Sequence, residues 1–231
     1  MSNPMTRREL LAILGGGAGT AFAQRGVAPR SRAAGDPIIR TLLKDLRPDD
    51  LNGPTLFHEH LSIRYPLTKA MAEAQGRPTP ATFSDDVELV VEETKQAKQD
   101  GVVCIVDAGH PDMDRDLAAL RRIANESGVH IVGSGGFYMQ RNYPPEVAAK
   151  SADQLAADLA REAKEQRLGA FGEIGQQGPV LTDDEKKVFT AVGMAQAKTG
   201  LPVFTHNPYT GMRTTDPPVP MDAALKQTGS T

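Results

Sequence analysis

The sequence has no tryptophan and only four tyrosines and seven phenylalanines in 231 residues. Proteins that hold unpaired bases stack them on aromatic rings, so this scarcity leaves no platform for single-stranded nucleic acid. Surplus positive charge is missing too. Against 29 acidic residues stand 26 Lys and Arg, a net charge of -3, which offers nothing to a phosphate backbone. The single cysteine, Cys104, excludes an intramolecular disulfide framework and any multi-cysteine zinc site. It lies in the apolar run Val102 to Val106 and reads as a small buried hydrophobe, not a nucleophile. No apolar run reaches the ~20 residues of a membrane span, so no stable membrane anchor is expected. No glycine-rich phosphate loop follows any expected strand, which weighs against a dinucleotide-binding fold.

What is present is an ordinary globular composition, 39% hydrophobic and 24% charged, enough to bury a sizeable core. Its first segment is set apart. Thr6-Arg7-Arg8-Glu9-Leu10-Leu11 precedes a Gly/Ala-rich apolar stretch that ends in the small-x-small step Ala21-Phe22-Ala23. A basic start, a short apolar middle and a small-residue end make an export signal, and the adjacent arginines before two leucines resemble the twin-arginine type. Residues 1–23 are therefore expected to be a signal peptide leading to the periplasm, residues 24–37 a linker, and residues 38–231 the folded domain.

Over that domain short apolar runs alternate with helical patterns. Strands are expected at Thr55 to Leu61, Val102 to Val106, Val129 to Val132, Ala170 to Ile174 and Pro202 to Thr205. Between them, Ser84 with Asp85, Asp86 and Glu88 opens a helix with an apolar stripe of Leu89, Val90, Thr94 and Ala97. Leu117, Leu120, Ile123 and Ala124 mark a second helix, closed by Gly128. Ser151 caps a third, and Thr182 with Glu185 forms a capping box for a fourth, closed at Gly200. Strands separated by helix-length crossovers give a parallel α/β sheet, which on this pattern alone is either a barrel or a doubly wound sheet.

The chemistry lies in histidines and one glutamate. His58 and His60 flank a single residue on an expected strand, so their imidazoles point the same way, about 7 Å apart along the backbone. That suits two ligands of one metal ion, although H-x-H alone also fits two packing histidines. His206 ends the fifth strand and Glu173 lies near the end of the fourth. Nitrogen and oxygen donors converging on one rim suit zinc or a similar divalent ion, and a carboxylate has two oxygens with which to bridge a pair of ions.

With these residues in place, a family resemblance becomes specific. Gly53-Pro54-Thr55-Leu56-Phe57-His58-Glu59-His60-Leu61 resembles the first-strand signature of the phosphotriesterase family. Val106-Asp107, Gly128 to Val132, Gly135-Gly136-Phe137-Tyr138 and Leu201 to His206 follow the same pattern, and the likeness covers about residues 38 to 215. It implies a TIM-type (β/α)8 barrel with a binuclear centre of zinc, with manganese or cobalt as alternatives, where hydroxide attacks a small-molecule ester, lactone or phosphoester. His58 and His60 would bind the more buried ion and His206 the more exposed one. Glu173 stands where many members carry a bridging carboxylated lysine. Other branches use glutamate, and Phe171-Gly172-Glu173-Ile174-Gly175 looks like those, which draws the likeness toward phosphotriesterase-related proteins. A homodimer is compatible with it.

The resemblance also calls for a histidine on a sixth strand and an aspartate on an eighth. The sequence to Thr231 accommodates about five βα units and supplies four of those six ligands, which leaves a second reading: a catalytically incomplete fragment or binding protein with a partial metal site. Of the remaining polar residues, Asp107 is expected either to hold a ligand histidine or to be structural. His110 is expected in a loop or supporting role, His130 at the opposite rim, and Tyr138 in packing or at the pocket wall. Asp112, Asp114, Asp116 and the Asp183-Asp184-Glu185 run are expected to be solvated helix starts.

Overall fold

The computed structural model describes residues 36–63, 84, 86–178 and 180–206. The leader, nearly all of the linker, and the residues after His206 lie outside this set. Five parallel strands run in chain order: β3 (Thr55–Glu59), β4 (Cys104–Asp107), β5 (His130–Gly135), β6 (Ala170–Gly175) and β7 (Val203–His206). A doubly wound sheet reverses its strand order at a switch point. This one never does. Right-handed crossovers that always advance the same way place every helix on one face, and the sheet curls around the other. The fold is α/β of TIM-barrel type, with five barrel strands among the described residues.

The helices lie where their caps place them. Helix α1 (Val87–Gln99) starts at Asp86, whose carboxylate accepts the Leu89 N–H. The expected cap, Ser84, instead donates its hydroxyl to the Ile63 carbonyl at 2.7 Å. The buried stripe of α1 is Val90, Val91 and Thr94, while Leu89 turns outward at 42% exposure. Helix α2 (Leu117–Ser127) is capped by Asp116 and closed by Gly128 in the left-handed region. After the short α3 (Pro145–Ala149) comes α4 (Ala152–Gln166), opened by a Ser151–Gln154 capping box. Helix α5 (Asp183–Thr199) carries the Thr182–Glu185 box and ends at Gly200. Glu185 is fully buried, not solvated, because its carboxylate accepts the N–H groups of Gln177 and Thr182.

The core fills the space between sheet and helices. Every residue of β6 is buried, as a strand covered on both faces requires. Phe171, Leu120, Ile123, Ile131 and Leu155 are at most 1% exposed, each worth roughly 1.5–3 kcal/mol of burial. A two-stranded hairpin, β1 (Ile39–Arg40) with β2 (Asp45–Leu46), precedes the barrel. Its turn presents Leu42, 2% exposed, whose N–H donates to the Ile131 carbonyl at 2.8 Å.

Candidate metal centre

The parallel register sets the C-terminal ends of the strands side by side: Glu59 faces Asp107 across β3 and β4, and Gly175 faces His206 across β6 and β7. His58 belongs to β3, His60 follows its last residue, Glu173 belongs to β6, and His206 ends β7. All four expected residues meet at this rim. The Glu173 carboxylate is the hub. Its Oε1 lies 3.2 Å from His60 Nε2, and its Oε2 lies 3.2 Å from His58 Nε2 and 2.5 Å from His206 Nδ1. One donor atom each from His58, His60 and Glu173 fall within 4.8 Å of one another. His206 is not in that trio and joins through Glu173.

Local structure explains the placement. His58 and His60 project to the same side, their rings 5.6 Å apart and edge-on, and the His58 ring also meets Phe204 at 5.5 Å. Gly172 brings β6 close to β7. Its φ is +146°, and a Cβ there would lie 2.6 Å from the Phe204 carbonyl and ring. Only glycine fits both the backbone angle and the gap.

Glu173 is 3% exposed. Burial pushes its pKa upward, but hydrogen bonding to His206 and His60, reinforced by their charge, outweighs that and holds it at about 2. For His60 burial favours the neutral ring, yet the Glu173 partner raises its pKa overall. The site is therefore a fixed carboxylate surrounded by imidazoles. Ligands about 2.1 Å from a tetrahedral ion stand roughly 3.4 Å from each other, close to the 3.2 Å contacts of His58 and His60 with Glu173. These N/O donors fit a divalent ion of the zinc class, and the two carboxylate oxygens open toward different imidazoles, as bridging requires.

The other polar residues divide. Asp107 is completely buried, and its carboxylate hydrogen-bonds backbone and not a ligand ring: it accepts the N–H of Leu61 at 2.7 Å and of Gly109 at 3.0 Å. Tyr138, 6% exposed, sets its hydroxyl 3.4 Å from His206 Nε2 with the two rings T-shaped. Asp112, expected in a solvated helix start, has its side chain buried, with Oδ1 3.5 Å from His110 Nδ1. His110 is fully buried as well. His130 begins β5 at the far end of the strands, and burial with Lys44 and Lys98 nearby lowers its pKa. Burial raises the Cys104 thiol to about 11, consistent with a packing role. The Tyr138–His206 contact and the burial of the Asp112 side chain carry no local sequence signal.

Comparison with known proteins places these features in a family. The sequence profile of the phosphotriesterase family matches residues 38–222. N-acetyltaurine hydrolase from Homo sapiens is 30% identical over 196 residues, covering 73% of this chain and 56% of that protein. The chain thus spans about half the length of the curated relatives it matches. Among solved structures, a phosphotriesterase homology protein from Escherichia coli, complexed with phosphate in its active site, superposes with a TM-score of 0.62 at 25% identity, covering 78% of this chain and 60% of that one. A lactonase from Listeria monocytogenes shares the fold, with a TM-score of 0.67 at 24% identity over 84% of this chain and 62% of that one.

Proposed function

The chain belongs to the phosphotriesterase family, and from that premise we propose that it serves as a metal-dependent hydrolase of small esters, lactones or phosphoesters. The observation that carries this reading is the Glu173 carboxylate, with His60 on one oxygen and His58 and His206 on the other. In this reading His58, His60 and Glu173 would hold a divalent ion, and His206, in contact with Glu173, would add a further donor. Such ions supply Lewis-acid polarisation of the substrate's C=O or P=O oxygen and a lowered pKa for the attacking water.

The protein's own groups do the rest. Glu173, held at about 2, is ionised near neutral pH and would offset cationic charge among the three imidazoles. Phe204 packs on the His58 ring and Tyr138 on the His206 ring, limiting their rotation. The name of the human relative points to an amide, so N-acyl substrates belong in the same screen. We also propose that the Arg7-Arg8 leader directs twin-arginine export to the periplasm.

The test is to strip the full chain of metal, add Zn2+, Mn2+ or Co2+, and assay aryl esters, lactones, phosphotriesters and N-acyl amides. Metal-dependent turnover that disappears in His58→Ala and His60→Ala is expected. Tight zinc binding without turnover would support the binding-protein reading. Zinc binding indifferent to His58, His60 and Glu173 together would refute the site.

A further inference from the structure

We propose that Asp107 and Asp112, at the end of β4 and in the turn after it, are positioning residues for the candidate metal centre, Asp107 for the His60 limb and Asp112 for the His206 limb. The inference rests on reading that cluster as a metal centre. β4 contributes none of the four donors, yet it lies between the strand that carries His58 and the strand that leads to Tyr138. Its end touches the backbone beside two site groups.

Asp107 acts on the backbone that flanks His60. Ahead of His60, the Glu59 carbonyl accepts the Ala108 N–H at 2.8 Å. Behind it, the Leu61 N–H donates to Asp107 Oδ2 at 2.7 Å. β3 ends at Glu59, so the Leu61 amide lies beyond the ladder and the carboxylate supplies its acceptor. The other oxygen, Oδ1, accepts the Gly109 N–H at 3.0 Å. The buried carboxylate thus fixes the peptide unit after His60, and by holding Gly109 it steadies the turn whose Ala108 N–H fixes the unit before it; together they set the direction of the His60 ring.

Asp112 acts at one remove. Its Oδ2 accepts the Tyr138 N–H at 2.8 Å, and its main-chain carbonyl accepts Asn142 Nδ2 at 3.3 Å. The Tyr138 carbonyl in turn accepts the Gly175 N–H at 2.7 Å. Tyr138 is thus held on both sides of its backbone, with its ring 5.1 Å from that of His206. His206 is confined between Glu173 on Nδ1 and Tyr138 on Nε2. Removing the Asp112 acceptor releases the N–H side of Tyr138 and leaves only its carbonyl held, so the ring beside His206 is expected to shift.

The two carboxylates differ in a way that gives distinct signatures. Asp107 serves two N–H donors, so Asp107→Asn leaves one of them facing an NH2 group. Asp112 serves one N–H through Oδ2, while Oδ1 faces His110, so Asp112→Asn keeps the required acceptor and Asp112→Ala does not. The experiment records the imidazole NMR signals of the full chain without metal, and its zinc affinity by competition with a chelator. Asp107→Asn is expected to shift His60 and leave His206 in place. Asp112→Ala is expected to shift His206 and leave His60, and Asp112→Asn to leave both, with His110 moving in the two Asp112 variants as a control. Zinc affinity is expected to fall about 10–100-fold in Asp107→Asn and Asp112→Ala and to stay within about threefold in Asp112→Asn.

If the folded variants show no selective shift, or Asp112→Asn behaves like Asp112→Ala, the inference is overturned. If Asp107→Asn does not fold, the Asp112 pair decides. A wild-type chain that binds no zinc would remove the metal-centre reading, while the metal-free histidine spectra would still decide whether these aspartates position the rings.

Discussion

Replacing Glu173 with glutamine keeps its shape and one carbonyl acceptor while removing the charge at the hub. In the metal-free protein the carboxyl is held at about 2 instead of its ordinary 4.5. At about 1.4 kcal/mol per unit, that is worth about 3 kcal/mol of folding free energy. The sign follows from the direction of the shift. A depressed carboxyl stabilises the fold fully above its unfolded value of 4.5, and the benefit is lost as pH falls toward 2. His60 is shifted the other way, upward from 6.5, so its contribution is complete below 6.5 and fades as pH rises through its folded value. The pair is therefore most stabilising between about pH 4.5 and 6.5. Urea unfolding in the presence of a chelator, at half-unit steps from pH 3 to 8, should show Glu173→Gln less stable by about 3 kcal/mol inside that window and converging on wild type toward pH 3. For a domain of this size the loss corresponds to roughly 6–12 °C in Tm. Equal stability of the two proteins from pH 4.5 to 6.5, or a wild-type protein that grows more stable below pH 4, would refute the reasoning.

Gly172→Ala should cost about 2–4 kcal/mol, since its φ of +146° and the 2.6 Å approach to Phe204 combine backbone strain with overpacking; a urea midpoint close to wild type would show that β7 can yield. Zinc must displace the proton that His60 holds with raised affinity, so on the proposed reading zinc affinity should fall up to about tenfold per pH unit below that pKa. Chelator competition at pH 5, 6 and 7 measures this, and a flat profile would exclude His60 as a ligand. Exchanging Arg7 and Arg8 for lysine should abolish export in the native host, and periplasmic protein at wild-type levels would end the twin-arginine proposal.

Much of the scaffold is legible because each signal is local. Ser151 with Gln154 and Thr182 with Glu185 announce helix starts that the structure reproduces, and Gly128 and Gly200 close α2 and α5 in the left-handed region. That His58, His60, Glu173 and His206 meet could be expected because strand ends in a parallel barrel gather on one rim. The β1–β2 hairpin was not readable: its strands are two residues each, too short to show alternation. For helix α1 the expected stripe holds at Val90 and Thr94 and fails at its edge, where Val91 is buried and Leu89 exposed. Val87, Leu89, Val90, Val91 and Ala97 fit more than one stripe, and only packing selects Val90, Val91 and Thr94.

The acidic run of Asp112, Asp114 and Asp116 shows where sequence reasoning stops. Three aspartates at alternate positions before a helix look like interchangeable solvated starts, yet each has a different setting. Asp116 caps α2 by accepting the N–H groups of Ala118 and Ala119. Asp114 takes a left-handed φ of 56° in the turn before it. Asp112 has its side chain buried and accepts an N–H from Tyr138, 26 residues away. Capping is decided within one turn of helix, so the pattern can assign Asp116. The partner of Asp112 exists only once β4 and β5 lie side by side and the loop after β5 has left the ladder with an amide still to satisfy. In a parallel barrel each strand end creates such amides at the rim where ligands gather, and a short carboxylate from the neighbouring turn can reach them. A buried aspartate just beyond a barrel strand is thus a consequence of the topology, and its identity is fixed by which backbone amide the neighbouring loop leaves unpaired.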